Sequence, residues 1–425
     1  MRNASLFESS EKSARLMDEQ DPLFPFHTEF HIPRLPNGDT SIYLAGNSLG
    51  LQPKKVREYI DQELLDWSEL GVEGHLHAKH PWLPYHEFLT EKTARLMGAK
   101  PAEIVVMNTL TVNLHLMMVS FYRPTAKRFK ILVEGGAFPS DQYAVASQAR
   151  FHGYDEREAV VELHPRKGEL TLRGEDILAR IQEEGDSIAL IMLGSVNYLT
   201  GQAFDIAAIT KAGHAKGCKV GFDLAHGAGN LSFQLHDWGP DFAVWCSYKY
   251  LNAGPGALSG CFVHERHANQ EELPRFAGWW GHDKKSRFQM GPDFKPIPGA
   301  EGWQLSNPPI FQLAALRASM DIFDRAGISQ LRKKSEALTG YLEFLLQAIP
   351  KERFKIITPA DPAQRGCQLS LKVKDDPKGL IKELNQAGVI CDFREPDIIR
   401  VAPTPLYNSF LDVYRFGRIL EKHGN

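Results

Sequence analysis

The chain has 425 residues, 43% of them hydrophobic and 24% charged, a composition that supports one large core with a smaller companion domain and predicts no extended disorder. Its 49 Lys and Arg are offset by 52 Asp and Glu, for a net charge of -3, so no basic field draws it to nucleic acid or anionic membrane and a small-molecule substrate is expected. Five cysteines (Cys218, Cys246, Cys261, Cys367 and Cys391) form no Cys-x-x-Cys pair, which in a chain of this size points to reduced thiols and a cytoplasmic location.

From the N-terminus, Met1 to Asp21 mixes charge and serine without an apolar run of signal-peptide length, and no stretch approaches the roughly 20 apolar residues that span a bilayer. The expectation is a soluble, unexported protein. Gly46-Asn47-Ser48-Leu49-Gly50 matches the Gly-x-Ser-x-Gly spacing of a nucleophile elbow. It follows only a short strand, before most of a sheet could be laid down, and no Asp and His partners can be assigned to it. A helix is expected over Lys54 to Leu70, stopped by Gly71 at its C-cap and packing with the small domain. His75, His77, His80 and His86 follow, but their spacing fits no standard metal motif and Pro81 interrupts any shared helix, so no metal is expected.

Between Val105 and Val263 short β-branched or aromatic runs alternate with helical patterns, the signature of βαβ units and a mostly parallel sheet covered on both faces. Strands are expected at Ile104-Met107, Lys130-Glu134, Ser187-Leu193, Lys219-Asp223, Asp241-Cys246 and Cys261-His264. Helices are expected at Thr111-Phe121, Asp141-Phe151, Leu172-Glu184 and Ile206-Lys216. Gly, Pro and Trp break the rhythm from Arg275 to Pro309, as in a functional loop or domain border. Beyond it lie helices at Phe311-Asp324 and Ser329-Leu346, strands at Phe354-Ile357, Cys367-Val373, Val389-Phe393 and Ile399-Val401, and a last helix from Tyr407. The chain therefore divides into an N-terminal arm (1–60), a large domain (61–310) and a small α+β domain (311–425).

The segment Ser247-Tyr248-Lys249-Tyr250-Leu251-Asn252 places a lysine between a buried strand and a glycine-rich turn. A strand-end lysine can simply snorkel to solvent. Desolvated, the same amine is suited to form a Schiff base or act as a base. Asp223 ends the preceding strand, and C-terminal strand ends of an open parallel sheet border one crevice. A lysine for an aldehyde and a carboxylate for a pyridine nitrogen are the pair that pyridoxal phosphate requires. His226 falls on the same turn as Asp223 and could orient the ring, or be a satisfied structural histidine. Thr109, Leu110 and Thr111, opening a helix after a strand, suit a phosphate, although threonines are also ordinary caps. In Phe138-Pro139-Ser140-Asp141 the phenylalanine could stack on a pyridine and Asp141 cap the helix.

These segments, with Leu110-Thr111-Val112-Asn113-Leu114-His115, Gly221-Phe222-Asp223-Leu224-Ala225-His226 and Ser306-Asn307-Pro308-Pro309, resemble the kynureninase family, in matching order from about Leu44 to Phe410. The resemblance implies the aspartate-aminotransferase fold, fold type I of the pyridoxal-phosphate enzymes. Its large α/β domain is a mostly parallel, seven-stranded sheet between helices, and it assembles as a homodimer with shared active sites. It implies hydrolysis of kynurenine or 3-hydroxykynurenine, in tryptophan breakdown or supply of a nicotinamide precursor. Carried over, Lys249 is the Schiff-base lysine, Asp223 the pyridinium partner and Phe138 the stacking ring. Leu110, Thr111 and Tyr248 contact the phosphate, Pro139, Ser140, Asp141 and His226 belong to the same pocket, and Tyr248 is the proton-moving group. Trp279 and Asn307 are lent across the dimer. Arg400 clamps the substrate α-carboxylate, as suits a planar bidentate donor, with Ser48 and His75 on the substrate side. In Leu193-Gly194-Ser195-Val196 the family's Gly and Ser stand in swapped order, so both Gly194 and Ser195 are candidates for the phosphate side. A cysteine desulfurase would use a similar Lys and Asp but needs a mobile cysteine in a late loop, whereas Cys367 falls in an expected strand. A non-catalytic scaffold has no physical reason to keep a buried amine beside a carboxylate.

Overall fold

The computed structural model describes residues 7–350 and 353–422. Residues 1–6, at the head of the expected N-terminal arm, lie outside the described residues. Strands are numbered along the chain. β1 (Ile42–Tyr43) belongs to the arm. The next seven are β2 (Ile104–Met107), β3 (Lys130–Glu134), β4 (Val160–Leu163), β5 (Ile188–Gly194), β6 (Lys219–Asp223), β7 (Phe242–Cys246) and β8 (Ser259–Val263). They form one sheet in the order β2-β8-β7-β6-β5-β3-β4. Neighbours from β7 through β4 run parallel, while β8 is antiparallel to both β7 and β2. The central strands are buried on both faces, which is why β5 reads as an unbroken apolar run, Ile-Ala-Leu-Ile-Met-Leu, rather than an alternation. β4 is the edge strand that the sequence pattern does not reveal: three of its four residues are incompletely buried and Glu162 faces solvent, so it lacks the apolar signal of its neighbours.

Helices cover both sheet faces, among them Leu110–Phe121, Pro139–Phe151 and Ile206–Ala215. The fold is α/β with a mostly parallel sheet, and a second, smaller unit follows it. There β9 (Phe354–Ile356), β10 (Leu369–Val373), β12 (Asp392–Arg394) and β13 (Ile398–Val401) form an antiparallel sheet in the order β12-β13-β10-β9. β11 (Val389–Ile390) instead pairs in parallel with β1, tying the arm to this unit. Helix Glu11–Gln20 lies on helix Phe410–Lys422, where the Asp18 carboxylate accepts the first-turn N–H groups of Phe410 and Leu411. Helix Ile310–Ala326, which the sequence groups with the small domain, buries Leu313, Leu316, Met320 and Phe323 in the large core. Its change of pattern marks the end of the long loop rather than a change of core. The early helix, Val56–Leu70, packs on it through Val56 against Ala315 and Ala318.

Candidate active site

The parallel strands β3, β5 and β6 end in Glu134, Gly194 and Asp223, and β7 runs on into Tyr248 and Lys249. All but the strand β7 itself contribute these residues to one cavity of about 180 Å³ at the C-terminal edge of the sheet. A larger hollow of about 580 Å³ near Phe204 and Arg332 gathers no lysine, so the convergent chemistry lies in the smaller one.

Two helix N-termini close that cavity. Asn108 takes a left-handed turn (φ 49°) after β2, held by Asn113, which bonds both the Asn108 side chain and the Met107 carbonyl at 3.0 Å. Helix Leu110–Phe121 then starts with no side-chain cap from Thr109, leaving first-turn N–H groups directed at the cavity. The second helix starts at Pro139, whose fixed φ suits the first helical position. Thr111 Oγ1 and Ser140 Oγ, one from each helix, are 2.7 Å apart.

Lys249 Nζ stands 3.0 Å from His226 Nε2 and 5.9 Å from the centre of the Phe138 ring. Burial, then the positive charge of Lys249, Arg400 and Arg394, pushes the His226 pKa well below its ordinary value. The neutral ring therefore accepts a hydrogen bond from the ammonium, while its Nδ1 is buried without a partner. Asp223 Oδ1 accepts the Ala225 N–H at 2.6 Å. Burial raises the Asp223 carboxyl, against the opposing pull of Lys249. Burial and the adjacent Asp223 hold Asp141 well above the ordinary carboxylate range, the two carboxyl groups being close neighbours. Glu134 is lifted to about 7 by burial, with Asp223 adding and a 3.3 Å bond from Asn197 Nδ2 opposing. Tyr248 is raised by burial and by its contact with Cys246.

Of the residues singled out from the sequence, Leu110, Thr111, Phe138, Ser140, Asp141, Gly194, Asp223, His226, Tyr248 and Lys249 line the cavity. Ser195 does not. Strand side chains alternate, so when Gly194 faces the cavity the next residue faces away; Ser195 is buried under Gly227, where an added Cβ would come within 2.4 Å of its Oγ. Ser48 sits in a turn whose Gly50 N–H bonds the Tyr248 carbonyl at 2.8 Å. β1 before it belongs to a two-stranded pairing with β11 and not to the main sheet, so it is no nucleophile elbow. Arg400 is buried just behind the wall, its Nη1 donating to the carbonyl of Tyr198, a lining residue, at 2.7 Å. His75, Trp279 and Asn307 do not line this cavity within one chain. His75 packs edge-on to Trp82 and bonds the Val72 carbonyl, Trp279 bonds the Arg287 carbonyl, and all three side chains reach or approach the surface. Sequence reasoning missed Glu134, Val196, Tyr198 and Ala225 as lining residues. Glu134 carried the signal that identified Asp223, a carboxylate at the last position of a buried strand.

A mostly parallel sheet with antiparallel β8, a lysine just beyond β7 and a carboxylate at the end of β6 define the architecture of fold type I pyridoxal-phosphate enzymes. The cysteine desulfurase CsdA of Escherichia coli shares this fold, with a TM-score of 0.76 at 18% identity over 94% of this chain and 98% of that one. In sequence, the chain is 70% identical to a kynureninase of Myxococcus xanthus, covering 100% of this chain and 99% of that protein. It is 63% identical to a kynureninase of Koribacter versatilis over 97% of each, and residues 331–420 match the kynureninase C-terminal domain. The chain belongs to the kynureninase family.

Proposed function

We propose that the protein hydrolyses the bond between the β- and γ-carbons of L-kynurenine or its 3-hydroxy derivative, releasing L-alanine and anthranilate or 3-hydroxyanthranilate. The observation that carries this reading is the Lys249 amine and the Asp223 carboxylate in a single cavity of a chain related over its full length to kynureninases. The cavity suits pyridoxal phosphate. Asp223 is a buried carboxylate that a pyridinium N–H would satisfy, and Phe138 presents a ring beside the lysine. The open N–H groups of helix Leu110–Phe121, with Thr111 and Ser140, suit the phosphate. Bound there, the cofactor supplies an electron sink for carbanions at the substrate α- and β-carbons.

The chain's own residues do the rest. Lys249 would hold the cofactor covalently and, as a free amine, would move the proton at the substrate α-carbon. Neutral His226 orients the Lys249 amine and Asp141 steadies Asp223. Tyr248, a phenol that burial holds still more firmly in its protonated form, moves a proton at the oxygen of the γ-carbonyl when water adds to it. Arg400 takes the α-carboxylate, Gly194 leaves room beside Glu134, and Ser48 lies on the substrate side.

The site is completed by a second copy, which lends Trp279 and Asn307 and brings His75 to the aryl ring. Large apolar side chains left exposed on one chain, Trp67, Val72, Leu76, Phe288 and Met290, support such an interface. Five free cysteines fit a reducing cytoplasm, and no helix among the described residues is long and apolar enough to cross a membrane. The reaction would serve tryptophan breakdown or the supply of a nicotinamide precursor. The test is to load the protein with cofactor, add L-kynurenine and follow anthranilate fluorescence beside alanine release. Equimolar anthranilate and alanine are expected. A cofactor absorbance band without either product would refute the substrate assignment.

A further inference from the structure

Arg400 and Arg394 draw on a single carboxylate. Asp392 faces Arg400 across the β12–β13 pair, and Arg394 lies two residues along β12 on the same face. Arg400 gives Nε to Asp392 Oδ1 at 3.1 Å and Nη2 to Oδ2 at 2.7 Å. Arg394 meets the same oxygens, Nε at 3.0 Å from Oδ1 and Nη2 at 3.1 Å from Oδ2. The Arg400 and Asp392 side chains are 1% and 11% exposed, so their charges are poorly screened, while Arg394 is 37% exposed.

We infer that Asp392 is the positioning residue of the substrate-carboxylate site, and that its sharing between Arg394 and Arg400 leaves there one positive charge that the substrate α-carboxylate completes. A guanidinium has five N–H donors. Asp392 takes one on Nε and one on Nη2, and the Tyr198 carbonyl takes one on Nη1. One donor remains on each terminal nitrogen, the pair that a second carboxylate grips in bidentate fashion. Asp392 thus fixes the plane of the Arg400 fork from its side without using its end. One carboxylate against two guanidinium groups leaves the cluster net positive. That charge lies beside the cavity, since it is among the influences that depress His226.

The inference rests on the reading that Arg400 receives an α-carboxylate, and its test does not require kynurenine to be the substrate. The cofactor-loaded Asp392→Asn variant is titrated with L-alanine and with L-alaninamide, which lacks the carboxylate, by following the absorbance of the bound cofactor. Alanine is expected to bind about tenfold more weakly, because loss of the fixed Arg400 fork outweighs the positive charge that the substitution adds, with alaninamide unchanged; tighter alanine binding would make Asp392 only a charge that opposes the substrate and would overturn the inference. The KM for L-kynurenine should rise by a similar factor while kcat moves much less. Arg394→Gln, on the more exposed partner, should weaken alanine selectively by a smaller factor, and it serves if Asp392→Asn does not fold. Equal weakening of both ligands, or unaltered alanine binding with a lowered melting temperature, would make Asp392 a structural staple only and overturn the inference.

Discussion

Glu134 offers a stability effect whose size changes with pH in a way the cavity geometry dictates. Its carboxyl moves from an ordinary 4.5 to about 7 because it is buried, with Asp223 nearby and only Asn197 bonding it. A folded-state pKa above the unfolded value means that the folded chain holds the proton more tightly. Stability is therefore fully present below about 4.5 and declines as the pH rises toward 7. At about 1.4 kcal/mol per pH unit, the ionised carboxylate costs roughly 3 kcal/mol at pH 8. Glu134→Gln removes the titration and keeps the shape. With an unfolding entropy of about 2 cal/mol/K per residue, the variant of the cofactor-free protein should melt about 3 °C higher than the parent at pH 8 and at nearly the same temperature at pH 5. Differential scanning calorimetry of both proteins at the two pH values decides this. A gap of equal size at both, or a variant less stable at pH 8, would refute the reasoning.

Three further outcomes follow from the same geometry. A Cβ at Gly50 would stand 2.2 Å from the Lys249 carbonyl and 2.3 Å from Asn252 Oδ1, so Gly50→Ala should displace the lysine turn and weaken cofactor retention on dialysis at least about tenfold. Lys334 and Asp21 pair at 2.7 Å with side chains 4% and 5% exposed. Asp21→Ala, which strands the ammonium, should cost about 3 kcal/mol or more in urea unfolding. If Trp279 acts across a dimer, mixing inactive Lys249→Ala with inactive Trp279→Ala subunits should restore cleavage through one intact site per mixed dimer, and no recovery after verified subunit exchange would place Trp279 in its own subunit's chemistry.

The sequence made the centre of the fold readable because buried strands are continuous apolar runs: β2, β3 and β6 begin and end where the pattern places them. β4 escaped because, unlike the buried edge strand β2, it shares its surface with water and carries Glu162. Val389-Phe393, expected as one strand, is two, since Val389–Ile390 pairs with the arm while Asp392–Arg394 turns to β13; a partner so distant in sequence leaves no local signal. In the site, Lys249 and Asp223 were legible because an ionisable group ending a buried strand is costly without a purpose. The choice between Gly194 and Ser195 needed only the two-residue period of β5 carried one step further. Tyr198 and Asp392 were not legible, because their places depend on a loop and on a cross-strand register that the chain's local pattern does not encode. His75, Trp279 and Asn307 do not line the cavity of their own chain; they entered the reading through the family resemblance and not through any local pattern.

The most direct test of the central claim is to reduce the cofactor-loaded protein with borohydride, digest it and locate the attached pyridoxyl group by mass spectrometry, with L-kynurenine turnover measured on the same preparation before reduction. The account predicts the label on Lys249 alone, anthranilate formation before reduction and none after it. A label on another lysine, or undiminished turnover by Lys249→Ala, would contradict it.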